Sequence, residues 1–330
     1  MIDFTNCQQK KKAYSGANGN KLSIIYNNEL YMLKFPSEAK KNPELSYSNS
    51  CISEYIGCKI FDSVGIPTQE VLLGTFNSVK GQKVVVACKD FTVNGDTLQD
   101  FASLKNQMID SVRNGYGTDL SEIEQTIYEQ NSIDTKELSE RFWDMFIVDA
   151  LIGNWDRHNG NWGFLYNLEK DTLRLAPVFD CGSSLYPQAD NDMIRIVLNN
   201  AGERNARIYN YPMSAITIND KKINYYNFIS SCQNDNCNAA LMRTVPKIDM
   251  DKIYEIVQDT PFIDDLQKEF YTTMIKERKE RILDYSFNKL TKTKEFSQEK
   301  ADVLGTTDFL GLSKDNEAPD LTRANKVSKL

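Results

Sequence analysis

Gly153-Asn-Trp-Asp156-Arg-His-Asn-Gly-Asn161-Trp-Gly163, followed by Pro177-Val-Phe-Asp180-Cys-Gly-Ser-Ser184, is the stretch on which the fold turns. Before it, Leu138, Phe142, Met145, Phe146 and Ile152 recur at helical spacing, and Asp134 with Glu137 forms a D-x-x-E capping pair. The spacing predicts a helix from Thr135 to about Ile152, broken by Gly153-Asn154. After it, residues 162–166 and 173–178 read as two strands joined by a polar turn at 167–171. A helix thus delivers the chain to a polar loop holding Asp156, His158, Asn159 and Asn161. A hairpin then brings it back to Asp180 beside a glycine. Phosphoryl transfer needs such a set: one carboxylate to orient or deprotonate a hydroxyl, and an amide oxygen and a second carboxylate to hold magnesium on ATP phosphates. Asp, Asn and Gly are also the commonest turn residues, so D-x-x-x-x-N alone is equally a solvated loop. The helix before it, the hairpin after it and the second Asp-x-Gly favour Asp156, Asn161 and Asp180 as catalytic residues, with Asn161 and Asp180 on the metal.

The rest of the chain sets the frame. At 330 residues it can hold two lobes, each with its own core. A net charge of −7 argues against coating nucleic acid, whose phosphates select basic surfaces. No apolar run approaches the ~18 residues of a membrane span, and the first residues lack the basic-then-apolar layout of a signal peptide. A protein made in the cytosol, without stable membrane association, is expected; later signal-independent export to a host cell is compatible with this. Seven scattered cysteines, an odd number, argue against a disulfide framework. Cys232 and Cys237 lack a second pair to complete a zinc site.

Lys21–Tyr26 and residues 30–35 form two β-prone runs around the turn Asn27-Asn28-Glu29. Ile52, Tyr55, Ile56 and Ile60 mark a helix that stops near Gly65, and residues 71–76 and 83–88 return to strand character. From Asn94 the pattern reads as helical, with Leu98, Phe101, Leu104, Met108 and Val112 on one face and Ile123 and Ile127 beginning another helix. Further helices are expected over residues 250–258 and 263–288, and a polar tail from 291. Lys34, set between apolar neighbours and Pro36, reads as an inward lysine, although a surface lysine at a strand end is ordinary. Glu54 lies opposite Ile52, Ile56 and Ile60 on a helical wheel, so it faces either Lys34 or solvent. His158 reads as a structural brace and Arg157 as the partner of an acidic group.

LIGNWDRHNGNWGF, LRLAPVFDCGSSLYP and, more loosely, YMLKFP and SEYIGCKIFDSVGIP resemble the HipA-like serine/threonine kinases, and within them the short, cell-translocating kinase A type. The resemblance spans roughly residues 10 to 290. It implies an α+β, two-lobed, protein-kinase-like fold: an N-lobe of antiparallel sheet plus helix over residues 1–93, a mostly helical C-lobe over 94–290 with a β-hairpin at the active site, and a tail over 291–330. It implies ATP and magnesium as cofactors and a protein hydroxyl as acceptor. Asp156 resembles the catalytic aspartate, Asn161 and Asp180 the magnesium ligands, and Lys34 the lysine on ATP phosphates. Ser15-Gly16-Ala17-Asn18-Gly19-Asn20 takes the place of the phosphate-covering loop, with Gly16, Asn18 and Gly19 near ATP. Lys89-Asp90-Phe91 resembles the hinge whose backbone meets adenine. The family implies autophosphorylation, with Ser15 or the tail as target. Longer members carry an extra N-terminal subdomain and pair with a DNA-binding antitoxin. Here the kinase-like core begins almost at Met1, so the resemblance does not carry that partnership over.

Two other functions compete. D-R-H-x-x-N with D-x-G also resembles phosphoinositide kinases, and a small-molecule hydroxyl is a related acceptor. The chain shows no basic membrane-facing patch beyond residues 276–281, whose alternating charges suit a solvated helix face. A non-catalytic nucleotide-binding scaffold would be expected to lose one of the key side chains, and none is missing.

Overall fold

The structure, a computed structural model, describes residues 1–14, 21–36, 48–79, 81–108 and 114–293. Met1–Lys289 forms one compact unit, described below.

The unit opens with a six-stranded sheet. Its strands are β1 (Ile2–Asp3), β2 (Gln8–Lys10), β3 (Lys21–Tyr26), β4 (Glu29–Lys34), β5 (Val71–Ser78) and β6 (Gly81–Lys89), in the order β1-β5-β6-β4-β3-β2. Every pairing is antiparallel except the short β1–β5 contact. Asn27 and Asn28 both take positive φ, 49° and 63°, as a two-residue hairpin turn requires, and asparagine tolerates this region better than most residues. That turn sets the β3–β4 register, Tyr26 opposite Glu29 and outward to Lys21 opposite Lys34. One face of the sheet packs on itself through Phe4, Ile24, Tyr31, Leu33, Val85 and Ala87. The other face receives α1 (Ser50–Ser63).

Helix α1 is buried around most of its circumference, which is why the wheel left Glu54 ambiguous: its apolar stripe meets the sheet while the far side meets the chain around Cys181. A Cβ on Gly57 would stand 2.7 Å from that of Cys181.

The chain then forms β7 (Asp96–Asp100), α2 (Phe101–Met108), α3 (Leu120–Glu129) and α4 (Thr135–Ile152). The helical reading from Asn94 is corrected here: residues 96–100 are a strand paired with β8 (Gly163–Asn167), with Leu98 opposite Leu165. The Leu98–Phe101–Leu104 spacing mimics a helix, but it joins a strand residue to two helical ones, and cross-strand pairing decides the local state. Val112 lies outside the described residues. Helix α4 keeps its expected bounds, with Asp134 accepting from the Glu137 N–H at 2.8 Å and Gly153 ending it at φ 64°. Strand β9 (Thr172–Leu175) completes the sheet β7-β8-β9, which carries the expected hairpin.

Beyond the site run α5 (Asn191–Asn199), α6 (Ala201–Tyr209), the hairpin β10 (Met213–Ile218) and β11 (Lys221–Asn224), α7 (Tyr225–Ser231), α8 (Asp235–Thr244), α9 (Met250–Gln258) and α10 (Asp265–Arg278), which continues as a π-helical turn over Lys279–Asp284. Among the described residues no helix is long and apolar enough to cross a membrane.

Candidate active site

Asn154, fully buried, shapes the loop that leaves α4. Its side-chain amide donates to Asp149 Oδ1 at 2.9 Å, its Oδ1 accepts from the Asp156 N–H at 3.0 Å, and its carbonyl accepts from the Tyr225 hydroxyl at 2.7 Å. Asn161 Nδ2 donates to the Asp156 carbonyl at 2.8 Å, so its Oδ1 is the end left for another ligand. His158 Nδ1 accepts from the Gly160 N–H at 3.0 Å. Asn159 is buried and donates to the carbonyls of Gly115 and Gly117 at 2.9 and 2.8 Å.

Arg157 pairs with Asp149, one helical turn before the break, through Nε–Oδ2 at 3.0 Å. Its Nη1 donates to the carbonyls of Asn161 and Phe179, and its Nη2 reaches the Cys181 sulfur at 3.4 Å. One buried cation therefore ties α4, the Asp156 loop and the Asp180 loop. Asp180 sits in the left-handed region at φ 59°, a sparsely populated conformation for a residue with a side chain. Its Oδ1 accepts from Lys34 Nζ at 3.0 Å, and the same ammonium reaches Glu54 Oε1 at 3.0 Å. Glu54 is only 1% exposed, which resolves its orientation toward Lys34.

The electrostatics separate the two aspartates. Burial pushes the Asp156 carboxyl above its ordinary value; the Asp180 charge adds to this, and the His158 ring works against it. Burial also acts upward on Asp180, but Lys34, Arg157 and Lys21 together outweigh it and the net shift is downward. Lys34 is held well above the ordinary lysine value because Asp180 and Glu54 together overcome the cost of its burial. Asp180 is thus the firmly ionised member and Asp156 the more basic one.

Lys34 and Asp180 border a cavity of about 400 Å³, lined also by Lys21, Met32, Phe91, Asn161 and Phe179. Phe91 packs on Phe179 with ring centroids 5.7 Å apart. Asp90 fastens the N-terminal segment to the hinge, accepting from Lys12 at 2.6 Å and Tyr14 at 2.8 Å. Lys89 is placed differently from its neighbours. Its ammonium pairs with Glu29 and Glu70, and its own N–H and carbonyl are taken by Glu70 and Gln69. Of the hinge segment, Asp90 and Phe91 face the cavity. Ser15, Gly16, Asn18 and Gly19 lie outside the described residues.

Among the described residues no group of three or more His, Cys, Asp or Glu gathers as a self-sufficient metal cage. Magnesium on a nucleotide takes one or two protein oxygens and completes its shell with phosphates and water. The Asp180 carboxylate and Asn161 Oδ1 are hard donors of the right kind.

Residues 11–261 match the HipA-like C-terminal domain family. The chain belongs to this family. It is 51% identical over 285 residues to the serine/threonine-protein kinase CtkA of Helicobacter pylori strain J99, covering 86% of each chain. The crystal structure of the Helicobacter pylori proinflammatory kinase CtkA matches with a TM-score of 0.84 and 49% identity, over 88% of this chain and 98% of that one. Shewanella oneidensis HipA, in a structure with HipB and operator DNA, matches with a TM-score of 0.52 at 14% identity, over 84% of this chain and 67% of that one, and shares the fold. The expected kinase-like α+β fold and serine/threonine-kinase class are borne out.

Several residues of this HipA-like site escaped the sequence reading. Lys21 lines the cavity as the register partner of Lys34, a relation that counting outward from the Asn27-Asn28 turn would have shown. Asp149, Asn154 and Asn159 act through buried hydrogen bonds that spacing alone does not announce.

Proposed function

We propose that this cleft transfers the γ-phosphate of ATP to a serine or threonine hydroxyl of a protein, with Asp156 as the base. The observation that carries the reading is the convergence of Lys34, Glu54 and Asp180 in one ion-paired set, tied through Arg157 to the loop of Asp156 and Asn161. The acceptor oxygen bonds to the γ-phosphorus, the bond from that phosphorus to the β,γ-bridging oxygen breaks, and ADP leaves with the electron pair. The hydroxyl proton passes to the Asp156 carboxylate, whose raised pKa makes it the better acceptor of the two aspartates. Asn161 and Asp180 would hold magnesium, which when bound neutralises phosphate charge. Lys34, kept in place by Glu54, and Lys21 beside it meet the phosphates, while Phe91 and the backbone after Asp90 meet the base. In this reading Gly16, Asn18 and Gly19 cover the phosphates, and Lys89 serves the hinge by pairing with Glu29 and Glu70.

A protein acceptor is favoured over a lipid because the 51% identical relative is a serine/threonine-protein kinase and the chain carries a net charge of −7, which anionic headgroups repel. The same charge favours a protein partner over direct nucleic-acid contact. The same reading includes autophosphorylation, at Ser15 or at Ser297, Thr306, Thr307 or Ser313 in the tail, all of which lie outside the described residues. Labelled ATP with magnesium, offered with the chain alone, with a protein acceptor and with phosphoinositide vesicles, tests this. Label on serine or threonine is expected; label in lipid alone, or none at all, sinks the proposal.

A further inference from the structure

We infer that Gln69, just before β5, selects the nucleobase: its side-chain oxygen accepts a hydrogen bond from the 6-amino group of adenine and turns away 6-oxopurines. This inference rests on the reading of the cleft as an ATP site.

Lys34, Lys21 and Asp180 mark the phosphate side of the cavity, and Asp90 and Phe91 mark the hinge side. Gln69 lines the same cavity and is joined to the hinge by its side chain, whose Nε2 donates to the Lys89 carbonyl at 2.9 Å. The residue is only 6% exposed, yet among the described residues its Oε1 accepts no hydrogen bond. A carboxamide offers an acceptor at one end and donors at the other, and a buried acceptor left unmatched is costly until a donor reaches it. The nitrogen is spent on Lys89, which does not line the cavity, so the oxygen is the end left for a ligand.

The donors nearby are committed elsewhere. The Lys89 N–H donates to the Glu70 carbonyl and the Asp90 N–H to the Leu30 carbonyl, both at 2.8 Å. The Thr92 N–H, the Tyr14 hydroxyl and the Lys12 ammonium all go to the Asp90 carboxylate. The backbone of residue 69 is also fixed in place. Its N–H donates to the Val178 carbonyl and the Val178 N–H donates to the Pro67 carbonyl, each at 2.8 Å, which clasps it to the segment leading to Phe179 and Asp180. A glutamine bracing a strand end through its nitrogen is commonplace; one that also leaves its oxygen unmatched in the wall of a nucleotide cavity is not. A base supplies the missing partner. Adenine carries an N–H donor at C6, whereas guanine and hypoxanthine carry a carbonyl oxygen there, which sets acceptor against acceptor. A site built to bond a substrate N–H rejects the analogue that lacks it, because its own polar group then stays unpaired.

Calorimetric titration of the full chain with three magnesium nucleotides reads the preference without any acceptor protein. They are ATP, purine riboside triphosphate, which has hydrogen in place of the 6-amino group, and inosine triphosphate, which has a carbonyl there. Wild type is expected to bind ATP at least about tenfold more tightly than purine riboside triphosphate, and inosine triphosphate more weakly still. Gln69→Met keeps the length of the side chain and removes both polar atoms. In that variant the advantage of ATP over purine riboside triphosphate should shrink to within about threefold. A purely structural glutamine would instead lower all three affinities together and leave their ratios as they were. Gln69→Leu replaces the Met variant if that one loses its cooperative melt. A wild-type advantage for ATP below about threefold, or one undiminished in the variant, overturns the Gln69 role and leaves the ATP site standing. If wild type binds none of the three, the reading of the cleft falls and the Gln69 role with it.

Discussion

Arg157 and Phe179 are joined by a hydrogen bond from guanidinium to carbonyl, although the whole β8–β9 hairpin lies between them in the chain. Phe179 immediately precedes Asp180, so a side chain of the catalytic loop fixes the backbone that presents the second aspartate. The same guanidinium meets Asp149 on α4, so one side chain ties the helix, the Asp156 loop and the Asp180 turn together.

Removing either end of the Arg157–Asp149 pair should therefore cost both stability and activity. Both groups are almost fully buried, so Arg157→Met or Asp149→Asn leaves an unmatched polar or charged group in the core. A loss of about 3–5 kcal/mol in urea unfolding is expected for either variant. A loss below about 1 kcal/mol would mean that the two loops hold their positions without this cation.

Asp156→Ala should abolish phosphotransfer and leave ATP affinity nearly intact, because the carboxylate meets the acceptor rather than the nucleotide. A positioned base contributes on the order of a hundredfold or more. The backbone of residue 156 keeps its bonds to Asn154 and Asn161, so the loop should hold its shape. Turnover above about a tenth of wild type, at unchanged ATP affinity, would remove Asp156 from the chemistry.

Asp180→Asn should weaken binding of MgATP more than binding of metal-free ATP. The amide keeps the shape and removes the charge that a hard cation requires. It also frees Lys34 from one of its two carboxylate partners, which partly offsets the loss for metal-free nucleotide. Calorimetric titration with and without magnesium reads the difference. Equal losses in both would move Asp180 out of the metal shell.

The central elements were legible because local signals there agree with tertiary ones. The Asp134 cap, the α4 stripe and Gly153 mark a helix at both ends, and the turn after it returns the chain to Asp180 by strand pairing. Glu54 was not legible: a wheel assumes one buried face, and α1 has more than one. Leu98 was misread because residues on either side of a strand-to-helix junction fell at helical spacing. The region from 190 to 245 went unread although its helices announce themselves. Asp190, Asn200, Asn224 and Asn234 each cap a helix through a side-chain bond to the first turn. These helices are short, and β10–β11 between them draws its position from Thr118 and Tyr225 rather than from its own pattern.

Lys21 and Lys34 face each other across the β3–β4 register, and the two should fail in different ways when replaced. Like charges directly opposite on neighbouring strands repel. Lys34 is paired with Glu54 and Asp180; burial, and then Lys34 itself, pushes Lys21 below the ordinary lysine value, with Asp180 and Glu54 acting in the opposite sense. A polyphosphate entering the cavity satisfies both. Lys34→Met should strand Glu54, a carboxylate 1% exposed, and so lower the melting temperature as well as nucleotide affinity. Lys21→Met leaves the Lys34 pairs with Glu54 and Asp180 in place, so the nucleotide-free protein should melt later than Lys34→Met while ATP binding weakens. That weakening is electrostatic and should shrink as ionic strength rises from 0.05 to about 0.3 M. Thermal melts with and without ATP at the two salt levels decide it. If Lys21→Met melts as early as Lys34→Met, Lys21 is a structural residue; if its ATP affinity is unchanged at low salt, the phosphates do not pass between the two lysines.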